Sequence, residues 1–216
     1  MTKGVGQYDL EYARCACFWG TAPGKYVRMV TRHLPSGVVL DLGAGEGKNA
    51  IYLASLGFDV VAVECSEYAL NNFKSRLQTE SPTTRSRIQI IQADVTAYTP
   101  TREFDVVIAY GLLHCLQSPS AVVSAVRLMQ GSTVEGGYNV VVSFTNSLPV
   151  PAVHDYLEPT LLEVGELESF YSSWQLVDSE NAVIEEEHPT TKVLHKHSVC
   201  RLIARRPSEH VAGSGL

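Results

Sequence analysis

The stretch VLDLGAGEG, residues 39–47, joins a run of apolar residues to a turn with three glycines at alternate positions. The apolar run predicts a buried strand, and residues 48–57 that follow carry the apolar spacing of a helix. Glycines between a strand and a helix let the backbone turn sharply and approach a ligand at the positive end of the helix. The stretch therefore predicts a strand–turn–helix unit with a ligand-binding turn at Gly43, Gly45 and Gly47.

The rest of the chain repeats the alternation of strands and helices. After a first strand at 37–42, short runs rich in β-branched residues recur at 58–64, 87–94, 103–110 and 136–144. Such alternation predicts a parallel sheet covered by helices. The last two strands, 174–187 and 198–205, leave no room for a helix between them, so the last strand should be antiparallel. The predicted fold class is α/β and Rossmann-like: a mostly parallel seven-stranded sheet with an antiparallel last strand and helices on both faces.

Length and composition indicate the setting in which the protein works. The 216 residues predict one domain over 1–206, with lid helices within 1–34 and a disordered tail at 207–216. The net charge of −6 argues against a broad nucleic-acid-binding surface. No apolar run approaches the roughly 20 residues that span a bilayer, the N-terminus carries no secretory pattern, and the five cysteines lack CxxC spacing. We expect a cytoplasmic monomer or homodimer that acts on a small molecule, with neither nucleic acid nor membrane as a partner.

Three acidic residues stand at the ends of three successive predicted strands: Asp41, Glu64 and Asp94. Open α/β sheets bind ligands at this edge, where the carboxyl ends of parallel strands meet. A carboxylate after the second strand can accept hydrogen bonds from both ribose hydroxyls. Asp94, beside Val95, is placed to bind an adenine amino group, and Asp41 suits a ligand that carries an ammonium group. The three acids together predict an adenosine-containing ligand.

The spacing of the glycines separates two such ligands. A dinucleotide-binding turn reads G-x-G-x-x-G, whereas here the third glycine comes one residue earlier. A turn that passes the methionine and ribose parts of S-adenosylmethionine (SAM) has no pyrophosphate to hold. We therefore favour SAM over NAD. The expected cofactor contacts are Trp19, Asp41, Gly43, Ala44, Gly45, Asn49, Glu64, Cys65, Asp94, Val95 and Tyr110.

Residues 35–145 resemble the class I SAM-dependent methyltransferases, and several motifs are similar to their tellurite-resistance (TehB-type) branch. In KNAIYLASLG, residues 48–57, Asn49 and the Tyr-Leu-Ala run at 52–54 stand where that branch carries the same residues. GELESFYSSWQLV, residues 165–177, is similar to its closing helix. The segment HKH followed by CRLIARR is similar to its Leu-His-Arg segment and final strand.

The resemblance implies methyl transfer from SAM, with S-adenosylhomocysteine as the product. It also implies a chalcogen oxyanion as one possible methyl acceptor. Lys196 stands where that branch often has Arg, and Lys lacks the planar fork with which Arg binds oxyanions. An N, O, S or C atom of a metabolite therefore stays open as the acceptor.

HPTTKVLHKHSVCRL, residues 188–202, holds three of the seven histidines. The predicted topology brings the loop between the last two strands to the ligand edge of the sheet. His195 and His197 are one residue apart, so they project to the same side of an extended chain. We expect them to be catalytic, one as general base and the other as its orienting partner. His188 is expected to be a hairpin residue only, and no metal is expected because no nearby carboxylate or cysteine completes a recognised zinc spacing.

Residues from four parts of the chain are expected to contact the acceptor: Tyr8 and Tyr12 in the lid, His114 after the fourth strand, Phe144 at the end of the fifth, and Arg201 on the last. The predicted function is in-line transfer of a methyl group from SAM to a small molecule. Two alternatives stay open. One is a SAM-binding protein of the same fold that does not methylate, such as a cyclase or a regulator, and the other is an NAD-dependent oxidoreductase.

Overall fold

A single sheet of seven strands organises the molecule in the computed structural model, which describes residues 8–154 and 157–208. The strand order is β3-β2-β1-β4-β5-β7-β6. The strands are β1 (Val38–Leu42), β2 (Asp59–Glu64), β3 (Ile88–Gln92), β4 (Phe104–Tyr110), β5 (Thr133–Phe144), β6 (Gln175–Glu187) and β7 (Leu194–Arg205). The strands β1 to β5 pair in parallel, and β7 is antiparallel to both of its neighbours, β5 and β6. The predicted fold class is confirmed.

Helices cover both faces of the sheet. They are α1 (Asp9–Arg14), α2 (Lys25–Val30), α3 (Lys48–Ser55), α4 (Glu67–Leu77), α5 (Pro82–Ser86), α6 (Pro119–Gly131) and α7 (Glu166–Phe170). Two 3-10 helices, Leu113–Cys115 and Ala152–His154, follow β4 and β5. Successive β1 residues belong to opposite cores, since Val39 packs with α3 residues and Leu40 packs with α6 residues. In the part of the chain that the structure describes, no helix has the length and apolar character needed to cross a membrane.

The register of the last two strands corrects one predicted boundary. The ladder between β6 and β7 continues to the pair Glu187 and Leu194, so β7 begins at Leu194 rather than at residue 198. His195 and His197 therefore lie within the strand, and the connection is limited to residues 188–193. The predicted lid and tail are only partly described, because residues 1–7 and 209–216 lie outside the described residues.

Candidate active site

A cavity of about 340 Å³ lies at the carboxyl edge of the parallel strands, beneath the N-terminal segment. Its walls hold all but one of the residues expected to contact the cofactor; the exception is Asp41. The five residues expected to contact the acceptor also line it: Tyr8, Tyr12, His114, Phe144 and Arg201. The expected catalytic pair, His195 and His197, does not.

The glycine turn forms the floor of the cavity. Gly43, Gly45 and Gly47 have φ of 67°, 55° and 76°, a left-handed backbone that only glycine adopts at little cost. A side chain at Gly47 would place its Cβ 2.1 Å from the Phe73 ring of α4, and one at Gly45 would come within 3.2 Å of the Tyr12 hydroxyl. The turn is thus packed against α4 on one side and against the lid on the other.

Glu64 is held rigidly beside this turn. One carboxylate oxygen accepts a hydrogen bond from the Gly45 N–H at 2.8 Å. The other accepts from the N–H groups of Cys65 at 2.9 Å and Ser66 at 2.8 Å. These three N–H groups occupy three of the four lone-pair sites of the carboxylate, so the oxygen that accepts from Gly45 keeps one site for a ligand hydroxyl.

Asp41 comes two residues before the first glycine of the turn and does not line the cavity, so its expected contact with the cofactor stays a prediction. It is 1% exposed, and its Oδ2 is buried without a hydrogen-bond partner. Burial, and next the charge of Glu64, raises the pKa of this carboxyl to about 7. Successive side chains of a strand point to opposite faces of the sheet. Asp41 comes one residue before the end of β1, so its side chain and that of Leu42 lie on opposite faces. From this position, Asp41 can affect the cavity through the electric field of its carboxylate rather than by direct contact.

The far wall of the cofactor side is formed after β3. Asp94 accepts hydrogen bonds from the N–H of Thr96 at 2.8 Å and from its hydroxyl at 2.7 Å, and it lies on the wall beside Val95. Burial raises the pKa of the neighbouring Cys65 thiol to about 12, so this thiol is neutral at physiological pH. The wall therefore combines one fixed carboxylate with apolar surface.

The lid is fastened to the cofactor side by hydrogen bonds that span many residues of sequence. Asn49 accepts from the Gly24 N–H at 2.9 Å, Glu46 accepts from the Cys17 N–H at 2.7 Å, and Lys48 donates to the Trp19 carbonyl at 3.1 Å. Sequence reasoning missed Glu46 and Lys48, although both stand in or next to the glycine turn. Their position at the start of α3 is the signal that would have placed them on the cavity.

Within the lid, two of the expected aromatic residues pair with each other. The Trp19 indole N–H donates to the Tyr12 hydroxyl at 3.1 Å. Burial, and next the charge of Glu64, raises the pKa of Tyr12 well above its usual value. The phenol is therefore a neutral hydrogen-bonding group over the glycine turn.

The acceptor side is a stack of rings. The ring centroids of His114 and Phe144 are 4.0 Å apart. The Phe144 ring also stacks on His197, with their centroids 4.2 Å apart. Burial lowers the pKa of His114 to about 3, so this imidazole is neutral. Arg201 lines the same region, but its guanidinium is paired with Glu180 at 2.8 Å.

Four histidines meet behind this stack: His154, His188, His195 and His197 are all buried, and one ring nitrogen of each lies within 4.8 Å of the others. We call this group the histidine cluster. The interpretation of His188 as a hairpin residue only is wrong, because its ring is buried against Phe18 at 5.0 Å and His154 at 4.9 Å. His154 was not foreseen, since it comes from the 3-10 helix after β5 and no local spacing connects it to the others.

Glu186 connects the cluster to the cavity. Its Oε1 lies 3.2 Å from Nε2 of His197, 3.7 Å from that of His188 and 3.8 Å from that of His195, and its side chain lines the cavity. Burial favours the protonated carboxyl, but the imidazoles of His197, His188 and His195 outweigh it and hold the pKa of Glu186 below its usual value. The hairpin was expected to bind no metal because no nearby carboxylate or cysteine completed a zinc spacing. The structure does place a carboxylate there, because the pairing of β6 with β7 brings Glu186 beside His195.

Comparisons with known proteins agree with this geometry. The family model described as tellurite resistance protein TehB matches residues 21–195. A protein of Eikenella corrodens named hemagglutinin 1 is 32% identical over 144 residues, which are 67% of this chain and 46% of that protein. A protein of Haemophilus influenzae named probable S-adenosyl-L-methionine-dependent methyltransferase TehB is 28% identical over 142 residues, 65% of this chain and 46% of its own length. The chain thus spans about half the length of these relatives.

A solved structure shows the same fold. The crystal structure of TehB from Haemophilus influenzae superposes with a TM-score of 0.73 at 20% identity, over 94% of this chain and 67% of that one. At this level of identity the likeness concerns the fold alone. The arrangement of strands and helices is therefore common to both proteins.

Proposed function

The chain belongs to the TehB family of tellurite resistance proteins, and we propose that it transfers the methyl group of SAM to a small-molecule acceptor. The observation that carries the proposal is the Glu64 carboxylate, held by three backbone N–H groups on the cavity wall beside the glycine turn. The Haemophilus influenzae relative is named a probable SAM-dependent methyltransferase, which supports the same cofactor. NAD is the less favoured ligand, because the turn lacks the G-x-G-x-x-G spacing that holds a pyrophosphate.

The described residues fit SAM in three respects. Gly43 and Gly45 leave the turn open to a ligand, and a side chain at Gly43 would come 2.9 Å from Leu112. Glu64 has one lone-pair site free for a ribose hydroxyl, and Asp94 with Val95 offers a carboxylate and an apolar surface to adenine. Asp41, whose pKa is raised to about 7, is buried beside the turn, and an ammonium group on the ligand would favour its ionised form.

When bound, SAM supplies a methyl group that its sulfonium has already activated. The chain has to align the acceptor with that methyl group and exclude water. The lid does the second, because Trp19 and Tyr12 cover the glycine turn. The Phe144 and His114 rings give the acceptor a flat neutral wall. Glu186 is the carboxylate on this wall to which an acceptor proton would pass.

The electrostatics of the acceptor wall bear on the identity of the acceptor. Arg201 is already paired with Glu180, and Glu186 places a carboxylate beside the wall, so among the described residues the wall offers an oxyanion no unpaired guanidinium. An N, O, S or C atom of a metabolite is therefore our first candidate. A chalcogen oxyanion such as tellurite is the second candidate, and the description of the family favours it.

Calorimetry with SAM tests the cofactor assignment. Glu64→Ala removes a charged acceptor that the ribose hydroxyls would use, so the SAM affinity should fall about 10- to 100-fold. Glu67→Ala, three residues further on and exposed at the start of α4, is the matched control and should leave the affinity unchanged. Thermal unfolding without ligand shows whether each variant is folded.

Three outcomes would contradict parts of the proposal. Equal SAM affinity in folded Glu64→Ala would remove the ribose assignment. Tight binding of NADH with no binding of SAM would favour the oxidoreductase. Binding of SAM without transfer of a labelled methyl group to tellurite or to any of a panel of metabolites would favour a SAM-binding protein that does not methylate.

A further inference from the structure

The histidine cluster lies outside the cofactor site and has its own chemistry. Its four imidazoles come from three segments, the 3-10 helix Ala152–His154, the end of β6 and the start of β7. One nitrogen of each lies within 4.8 Å of the others, and all four residues are buried. Imidazoles gathered at this density are rarely needed for packing alone, since aliphatic side chains fill a core without polar atoms to satisfy.

Three of the four imidazoles and one carboxylate place buried polar atoms at the same point without a hydrogen bond of good geometry. These atoms are Nε2 of His188, His195 and His197 and Oε1 of Glu186, which meet only at ion-pair distance. They lie together, since the Glu186 oxygen is 3.2 to 3.8 Å from the three nitrogens. Leaving a buried polar atom unsatisfied costs about 1–3 kcal/mol, so four at one point indicate a shared partner.

The proton on His195 is positioned as in a metal ligand. Its Nδ1 lies 2.8 Å from the carbonyl oxygen of Val193. A carbonyl oxygen only accepts, so Nδ1 carries the proton and donates it. Nε2 then holds the lone pair, and it is Nε2 that points into the cluster. Metal-binding histidines are oriented by this same hydrogen bond to a backbone carbonyl.

The rings are held in place from outside the cluster. Phe18 stacks on His188 at 5.0 Å, Trp19 contacts the same ring edge-on at 5.1 Å, and Phe144 stacks on His197 at 4.2 Å. Tetrahedral zinc holds ligands at about 2.0–2.1 Å, which places them roughly 3.3 Å apart. The ring nitrogens of the cluster are at most 4.8 Å apart. Side-chain rotations that move each nitrogen by about an ångström would bring them to that geometry.

We propose that His154, His188, His195 and His197, with Glu186 beside them, bind one divalent transition-metal ion. Imidazole nitrogens select zinc, cobalt, nickel, copper or ferrous iron over magnesium and calcium, which prefer oxygen ligands. This site does not depend on the proposed methyl transfer, because it rests on the geometry of the cluster. None of the residues placed on the cofactor wall belongs to it.

A role for the ion in catalysis rests on the proposed function. Glu186 lines the cavity and touches the cluster, so an ion here would lie next to the acceptor wall. Its positive charge would offset Glu186 and attract an oxyanion, or a hydroxyl or thiol whose deprotonation the ion favours. The positive charge of the ion would thereby offset the carboxylate of Glu186. It would also supply the cation that Arg201, paired with Glu180, does not offer to an anionic acceptor.

Metal binding is measured on the full chain after treatment with a chelator. Zn²⁺ is titrated by calorimetry, and Co²⁺ is titrated by the visible absorption that a tetrahedral nitrogen site gives it. The wild-type chain should take up one ion, and His154→Ala/His188→Ala should weaken uptake at least about 100-fold. His33→Ala is the matched control, since His33 is exposed and stacks on Tyr138 far from the cluster in the fold.

SAM affinity serves as the check on folding, because the cofactor wall shares no ligand with the cluster. No uptake of either ion by the wild-type chain would overturn the site. Equal uptake by the wild-type chain and a double variant that still binds SAM would also overturn it.

The catalytic role has a separate readout. Labelled methyl transfer is compared between metal-loaded and metal-stripped protein, and the stripped protein should lose at least about tenfold in turnover with its SAM affinity unchanged. Full turnover in the stripped protein would overturn the catalytic role. If no acceptor is methylated while Zn²⁺ still binds, the proposed function fails and the metal site stands.

Discussion

The two walls of the cavity are built in different ways. On the cofactor wall, the glycine turn, Glu64 and Asp94 each follow directly from a strand, and backbone N–H groups fix Glu64 at 2.8–2.9 Å. On the acceptor wall, the groups come from the 3-10 helix Leu113–Cys115, β5, the 3-10 helix Ala152–His154 and the β6–β7 hairpin, and they are held by stacked rings. One wall depends on local backbone geometry and the other on packing between distant segments.

This difference separates two properties of the molecule. Changes in the ring stack or the histidine cluster leave the hydrogen bonds of Glu64 intact, so cofactor affinity should survive them. Changes in the glycine turn alter the floor on which Glu64, the lid and α4 all rest. Substitutions on the cofactor wall should therefore lower stability and SAM affinity, whereas substitutions on the acceptor wall should lower turnover.

The largest expected effect is on stability, at Gly47. Alanine there would adopt a φ of 76° and place its Cβ 2.1 Å from the Phe73 ring. Strain and overpacking together should lower the free energy of unfolding by about 3 kcal/mol, measured by urea denaturation. Gly57→Ala is the control, because its φ is 102° but nothing lies within 4 Å of its Cβ. Its loss should be about 1 kcal/mol, and equal losses would show that packing of the turn against α4 is not what the wall depends on.

The same locality explains what the sequence allowed us to predict. Ser66 caps the N-terminus of α4, and Ala69, Leu70 and Phe73 are its buried residues; such a cap and such a helical spacing can be recognised from adjacent residues. The ends of the first five strands also agree within a few residues. Asp41 is the one expected cofactor contact that does not line the cavity, and it is 1% exposed, so its part in cofactor binding stays a prediction.

On the acceptor wall, local patterns were insufficient. The placement of His195 and His197 on one side of the last strand is as expected, but their position in a layer behind Phe144 depends on how β7 is inserted between β5 and β6. His154 joins them from a segment without a recognisable pattern, and Glu186 joins through strand pairing with His195. Such contacts arise only when the chain is folded, so no spacing in the sequence reveals them.

The second effect is on turnover and tests the separation directly. His195→Ala/His197→Ala removes two of the groups that hold Glu186 in place, and a misplaced acceptor wall should lower kcat about 100-fold. SAM affinity should change less than about threefold, because none of the Glu64 hydrogen bonds is touched. His33→Ala should alter neither quantity. A loss of SAM affinity as large as the loss of turnover would show that the two walls act as one unit.

The smallest effect is a pH dependence that belongs to the cofactor wall alone. The pKa of Asp41 is raised by burial to about 7 in the folded chain, above its ordinary value of 3.8. Between these values the folded state holds a proton that the unfolded state has released, so the contribution of Asp41 to stability is greatest below pH 4 and falls as the pH rises to about 7. Asp41→Asn cannot ionise, and it should be more stable than the wild-type chain at pH 8 by at least about 1 kcal/mol, with less loss of stability between pH 5 and pH 8.

Urea denaturation at the two pH values measures both quantities. Asp59→Asn, which replaces an exposed carboxylate on β2, is the control. Parallel pH profiles for Asp41→Asn and the wild-type chain would mean that the acid beneath the turn is ionised throughout, so its charge would contribute to the cofactor wall across the whole range.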